Sequence, residues 1–411
     1  CRDFGQNYLN SMDAKGNPVI FTNGDNDTFP LWYNQETEGV RTDARVCNLS
    51  YLQTDWYIDQ MRRPAYDSPS LPISWTRLQY VTGTREGIPV QPDALQQVID
   101  YYKDSAEDLK QMLGDNPYEL KNIIRHWVLN DNPDLQIFPT DSIVVTVDKE
   151  AVKRSGMMIA ADSIPDVMHI SLKGKRAVYK SEMMMLEMIS QANWERPLYM
   201  STTVGPDNYG HLGDNFVQEG LACRITPFDT KQSGRTIDSE RMYNNMMNKF
   251  KYGGLKENPD IYLDETVIRM CYTHRRLFNQ LAQQLLKEGQ KDKALKVLQR
   301  AEEEIPGSIV PHEAFYGHSL ELADAWLALG HKAEAEKLLN AVGQNAREYI
   351  EWYLSLNTQR LLQSSRECLM QIYILNDIAK TWEPIDKKKA ETYRMEVNNY
   401  ASRCHQRGMS L

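Results

Sequence analysis

Apolar and polar positions follow two different periods along this chain, and the change between them divides it. Val19-Ile20-Phe21 is a continuous apolar run that breaks into Asn23-Gly24-Asp25-Asn26-Asp27, and beyond Thr28-Phe29-Pro30 the pattern suits a helix. This predicts a buried strand, a polar turn and a helix beginning near Thr28 or Pro30. Residues 2–12 read as a short amphipathic helix leading in, and Arg45-Val46-Cys47-Asn48-Leu49 as a second strand. Two strands joined by one helix make a right-handed βαβ unit with parallel strands.

Residues 62–92 carry Pro64, Pro69, Pro72, Gly83, Gly87, Pro89 and Pro92, a long irregular excursion of the kind that is often functional. Helical patterns return over 93–113, where Asp93 can cap, and over 117–129. Ser142–Val147 is β-branched and gives the clearest strand; Val167–Leu172 gives another. A helix is predicted over 176–193, then a strand over Arg196–Thr202, a second polar turn over Val204–His211, and a turn of helix with a last strand in 215–226. From about 262 the strand signals vanish. Phe278, Leu281, Ala282, Leu285, Gly289, Ala294, Ala301 and Pro306 fall at tetratricopeptide offsets. Leu322, Ala323, Trp326, Gly330 and Ala335 repeat them, with Gly289 and Gly330 41 positions apart. Helices without the motif are expected over 345–363, 365–381 and 386–405, the last with a solvated Lys387-Lys388-Lys389 run. The predicted fold is an α/β domain with a mostly parallel, Rossmann-like sheet over 1–260, followed by an all-α, tetratricopeptide-like helical repeat domain over 261–411.

Composition narrows the functional classes. The 411 residues are 41% apolar, enough for true cores, and carry a formal net charge of −9. With a pI near 5.5 and a mean hydropathy of −0.58, the chain lacks the basic face that a general nucleic-acid binder needs. No apolar run approaches the roughly 20 residues of a membrane-spanning helix. The chain opens on Cys1-Arg2-Asp3-Phe4 without an initiator Met, so a piece of a longer protein is expected. A lipid-bearing Cys1 is the lesser reading, because Phe4, Tyr8 and Leu9 already pattern as a helix rather than a tether. The six cysteines are scattered without zinc spacing; Cys47 and Cys271 read as buried thiols, and disulfide pairing stays open.

Candidate chemistry gathers where strands hand over to helices, the place where open α/β sheets bind ligands. A shared crevice is expected from Asn23, Asp25, Asn26 and Asp27 after the first strand, from Asn48, Asp55 and Trp56 after the second, and from Asp207, Asn208 and His211 after the strand at 196–202, with Glu219 nearby. Asp25-Asn26-Asp27 has the D-x-D form that holds a divalent metal on a diphosphate, and hard oxygen ligands suit Mg²⁺ or Mn²⁺. Three-residue matches are common, so the competing reading is that Asp25 and Asp27 cap the next helix and tighten the turn. No nucleophile elbow, Walker loop, HExxH or GxGxxG occurs, no catalytic residue is assigned, and no cofactor is expected. His169 reads as a core or edge histidine, and Met183-Met184-Met185 as core packing.

Arg2-Asp3-Phe4 with Asn7-Tyr8-Leu9, the stretch from Phe21 to Gln60, Arg196-Pro197-Leu198-Tyr199, Glu219-Gly220-Leu221-Ala222, and Met246 with Asn248-Lys249-Phe250 together resemble a known set. They are similar to the soluble C-terminal region of a domain-of-unknown-function family of polytopic membrane proteins from Bacteroidetes. The membrane half of that family looks like protein O-mannosyltransferases. The resemblance implies that sugar transfer belongs to the membrane half and that this region is its periplasmic domain; it implies no role for Asp25 or Asp27. The leading expectation is therefore a non-catalytic periplasmic domain that recognises a polypeptide or glycan acceptor beside its own N-terminal membrane domain, without nucleic acid. The rival is a metal-dependent glycosyltransferase or hydrolase using Asp25 and Asp27 as ligands and Asp207 or Glu219 as base. A third reading is a structural domain that fixes an oligomer.

Overall fold

The structure, a computed structural model, describes residues 1–160 and 163–409. The chain forms two compact units, Cys1–Lys251 and Tyr252–Leu411.

The first unit begins with helix α1 (Arg2–Ser11), strand β1 (Val19–Thr22), helix α2 (Phe29–Glu38), strand β2 (Arg45–Asn48) and helix α3 (Asp55–Met61). The later strands are β3 (Gly87–Pro89), β4 (Ser142–Thr146), β5 (Val167–Ser171), β6 (Ala177–Tyr179), β7 (Leu198–Ser201), β8 (Phe216–Gln218) and β9 (Ala222–Ile225). The central sheet runs β2-β1-β7-β9-β8. β1 is parallel to both β2 and β7, with Ile20 opposite Val46 and Tyr199. β9 runs antiparallel to β7 and to β8. The sheet is thus mixed, not mostly parallel as expected: the last strand predicted in 215–226 is present as β9, but the turn of helix expected before it is strand β8, and the two form an antiparallel hairpin. A hairpin needs only a tight connection, whereas another parallel strand needs a crossover.

Both faces of the sheet are covered, which explains the continuous burial of β1, β2 and β7. Val19, Phe21, Cys47, Leu198 and Met200 join a core that contains Met183, Met184 and Met185 of the helix Lys180–Gln191. Alternate positions turn the other way, where Ser201 hydrogen-bonds Tyr8 of α1. Helices α1 and α2 pack tightly: a Cβ at Gly5 would stand 2.3 Å from the Pro30 carbonyl oxygen.

Several local expectations shift. The β-branched run of β4 is a strand, but it lies outside the central sheet, paired with β5 as a two-stranded antiparallel ribbon and bridged at Val144 by Glu119. The 93–113 pattern is two helices, Ala94–Tyr101 and Ala106–Leu113, and Asp93 makes no side-chain cap. The 117–129 pattern is Leu120–Ile123 followed by a π-turn over Ile124–Val128. Residues 177–179 pair with β3 before the helix starts at Lys180.

The second unit is helical: Glu265–Lys287, Lys291–Glu304, Ser319–Ala328, Lys332–Ser355, Thr358–Gln363, Ser365–Trp382 and Lys387–Gln406. Apart from the longer link over 305–318, connections of a few residues make neighbours antiparallel. Ala282, Ala294, Ala301, Ala323 and Ala335 are all buried, as close helix crossings require, and the arrangement is repeat-like. The helix predicted at 345 begins instead at Lys332 and is one continuous segment to Ser355. Among the described residues no helix is long and apolar enough to cross a membrane.

Candidate functional site

The Asn23–Asp27 turn is bound into the sheet. Asp27 is 3% exposed; its carboxylate accepts the Gly24 amide at 2.9 Å and the Thr203 hydroxyl at 2.8 Å. Thr203 also contacts Ser201 at 2.7 Å and Tyr8 at 3.1 Å. On the other side, Asn48 donates to the Thr28 hydroxyl at 2.9 Å and accepts the Tyr51 amide at 3.0 Å, while Ser50 donates to Asn23. Thr22 and Thr28 are 2.8 Å apart through their hydroxyls. The ends of β1, β2 and β7 therefore do meet, through Asp27, Asn48 and Thr203. What they form is a partly buried hydrogen-bonded latch, with Asp27, Asn48, Thr22 and Thr28 inside, in which each named donor has an acceptor. Neither aspartate caps α2 through its side chain: Thr28 is the N-cap without a side-chain bond, and Asp25 contributes its backbone carbonyl to the Phe29 amide at 2.9 Å. Asp25 and Asn26 are exposed.

Other members of the expected crevice lie elsewhere. Asp55 starts α3 and takes an ion pair from Arg77 at 3.6 Å. Asp207 and Asn208 form a short 3-10 turn, in which Asn208 donates to Gly205 at 3.2 Å. His211 lines a separate cavity of about 540 Å³ with His169, Asp214 and Asp229. Glu219 is fully buried; its Oε2 accepts the Tyr199 hydroxyl at 2.9 Å. It stands 3.5 Å from Arg241 and 3.9 Å from Arg224, both of which lie nearer to Asp13, at 3.0 and 3.3 Å. Burial raises Glu219 to about 7 against the opposing pull of the two arginines. Burial acts on Asp13 in the same direction, but Arg241 and Arg224 outweigh it and hold that carboxyl low. No set of three or more His, Cys, Asp or Glu residues placed to hold a metal ion occurs among the described residues.

The concave surface beside the latch is a groove of about 730 Å³ between α2, the edge strand β2, α3 and residues 63–66, a size suited to a small ligand. Its walls are aromatic. Trp32 lies nearly parallel to Tyr51, at 11° and 6.2 Å between ring centroids. Tyr51 meets Trp56 at 5.9 Å and Tyr57 at 5.7 Å. Trp56 is 55% exposed and Tyr66 54%. The polar lining includes Gln35, Glu36, Arg45, Gln60 and Arg63. Tyr57 closes the open edge of β2: its hydroxyl accepts the Asn48 amide at 2.9 Å and donates to the Val46 carbonyl at 3.4 Å. The Tyr66 phenol bonds the Glu36 carboxylate; burial and that carboxylate raise Tyr66 to about 12.

Of the groove residues, sequence reasoning placed only Trp56 among the candidate site residues. Trp32, Tyr51 and Tyr66 went unnoticed because they sit on three different segments. The one signal that reached them was the irregular stretch after 62, whose first residues form a wall of the groove.

The family described as TMEM260-associated domain 2 matches residues 1–245, and the chain belongs to it. That links the first unit to a membrane-protein family. No curated protein and no solved structure shows significant similarity.

Proposed function

We propose that this member of the TMEM260-associated domain 2 family is a non-catalytic recognition domain whose groove binds a glycan. The observation that carries the proposal is that Trp32, Tyr51, Trp56 and Tyr66 line one concavity together with Gln35 and Glu36. A sugar ring offers a C–H face that packs on an aromatic ring and hydroxyls that bond amides and carboxylates; amphipathic aromatics suit such half-wet contacts. Tyr66 and Glu36 do pair in the groove, but burial and that carboxylate raise the phenol to about 12, far from the value of a nucleophile poised at neutral pH, which favours binding over catalysis. The setting we propose is the periplasmic face of a membrane, with this region attached to its own N-terminal, glycosyltransferase-like membrane domain. The Rossmann-like parallel core of β2, β1 and β7 would then carry the groove. The tetratricopeptide-like helix pairs would offer a concave surface for the polypeptide acceptor.

The test is a glycan array followed by titration monitored through tryptophan fluorescence, with the wild-type chain and Trp56→Ala. Removing a central aromatic anchor costs about 2 kcal/mol or more, so affinity should fall about 30-fold. Unchanged affinity in Trp56→Ala would overturn the assignment of the groove.

A further inference from the structure

The groove wall contains a cation without an anion. Arg45 begins β2 and is 5% exposed. Its Nη2 donates to the backbone carbonyls of Gln60 at 2.8 Å and Arg63 at 3.1 Å, while its buried Nη1 has no hydrogen-bond partner. No carboxylate stands within ion-pair range of it among the described residues. The acidic groups that act on Arg45 are the Cys47 thiol and the Tyr57 and Tyr66 phenols. Burial raises the Cys47 thiol to about 12 and the Tyr66 phenol also to about 12, so both are neutral at physiological pH. Arg196, half-buried and bonded to the Asn17 and Ser70 carbonyls at 2.8 Å, adds a second positive charge nearby. Glu36, the groove's own carboxylate, is engaged by Tyr66. A buried guanidinium held only by carbonyls is costly, and proteins ordinarily pair such charges. Guanidinium geometry matches carboxylate and phosphate.

We propose that the ligand of the groove is an acidic saccharide, whose carboxylate or phosphate pairs with Arg45 while its ring packs on Trp56. This rests on the glycan reading above and specifies it. Tyr66 lines the same groove and acts electrostatically on Arg45. It lies on the Ala65–Ser68 turn with its backbone at φ 53°, in the left-handed region that a bulky residue seldom adopts.

Calorimetric titration of the whole chain separates the two layers of the proposal. The probes are matched pairs: β-1,4-mannobiose against β-1,4-dimannuronate, and mannose against mannose 6-phosphate, with inorganic phosphate alone as a third arm. The acidic member of at least one pair should bind about 10-fold or more tighter than its neutral counterpart, the scale of a hydrogen bond to a charged group. The pair that responds identifies carboxylate or phosphate. Arg45→Gln should bring the acidic member down to the neutral level, and the wild-type comparison stands by itself if that variant does not fold. Equal affinity within both pairs would overturn the role of Arg45 and leave the glycan groove standing. Phosphate binding as tightly as the phosphosugar, insensitive to Trp56→Ala, would overturn the saccharide. Absence of binding by every probe would overturn both.

Discussion

Glu219→Gln isolates one buried charge and gives a signed, pH-dependent outcome. Glu219 is fully buried. Of its two oxygens, Oε2 accepts the Tyr199 hydroxyl and Oε1 has no hydrogen-bond partner. Arg224 and Arg241 sit closer to Asp13 than to Glu219, so desolvation wins and the carboxyl is raised from 4.5 to about 7. A carboxyl raised in the folded state binds more protons there than in the unfolded chain. Its stabilising contribution is therefore complete below pH 4.5 and is lost as pH rises through 7. At 1.36 kcal/mol per unit, the loss is about 3 kcal/mol. Glutamine imitates the neutral acid and does not titrate. Wild type and Glu219→Gln should be unfolded with urea at intervals from pH 4.5 to 8. The variant should gain on wild type steadily across that range, by about 3 kcal/mol, with m-values unchanged. Asp13, held low, contributes in the opposite sense and only toward more acid pH. A flat difference would refute desolvation as the dominant effect. A wild type that gains on the variant with rising pH would show that the arginine pairs govern Glu219.

Two other outcomes follow from the same structure. Asp27→Ala should destabilise the first unit by about 2 kcal/mol, because the Gly24 amide and the Thr203 hydroxyl lose their buried acceptor. The exposed Asp25→Asn should stay within about 0.5 kcal/mol, and Mn²⁺ should not shift the melting temperature of wild type; a Mn²⁺ shift lost in both variants would restore the metal reading. The buried thiols of Cys368 and Cys404 are 3.9 Å apart on the last two helices. Burial raises Cys368 to about 12 and raises Cys404 as well. Oxidised glutathione should therefore link this pair slowly, faster as pH rises, and stabilise the helical unit by about 3 kcal/mol. Peptide mapping that finds both thiols still free after prolonged native oxidation at alkaline pH would refute it.

The sequence by itself determined the local elements and the change of character between the two units. Val19–Thr22, Arg45–Asn48 and Leu198–Ser201 are strands where short apolar runs end in polar turns, since turn chemistry and apolar period act over a few residues. The small residues at 282, 294, 301, 323 and 335 announced close helix crossings for the same reason. Partnership was beyond it. The strongest strand, β4, stays out of the central sheet and pairs with β5, and β9 turns the sheet mixed, because propensity describes a residue's fit to a pleated surface and not which edge it will join. The Asn23–Asp27 turn stood out as chemistry because its polarity is local. Its saturation by Thr203 comes from a residue 176 positions away. Tertiary structure also decided which polar residues became interior, with Glu219 at one place and Arg45 at another. It gathered Trp32, Tyr51, Trp56 and Tyr66 into one groove, since only the closing of α2, β2, α3 and the loop after 62 on one another makes a concave surface from separate segments.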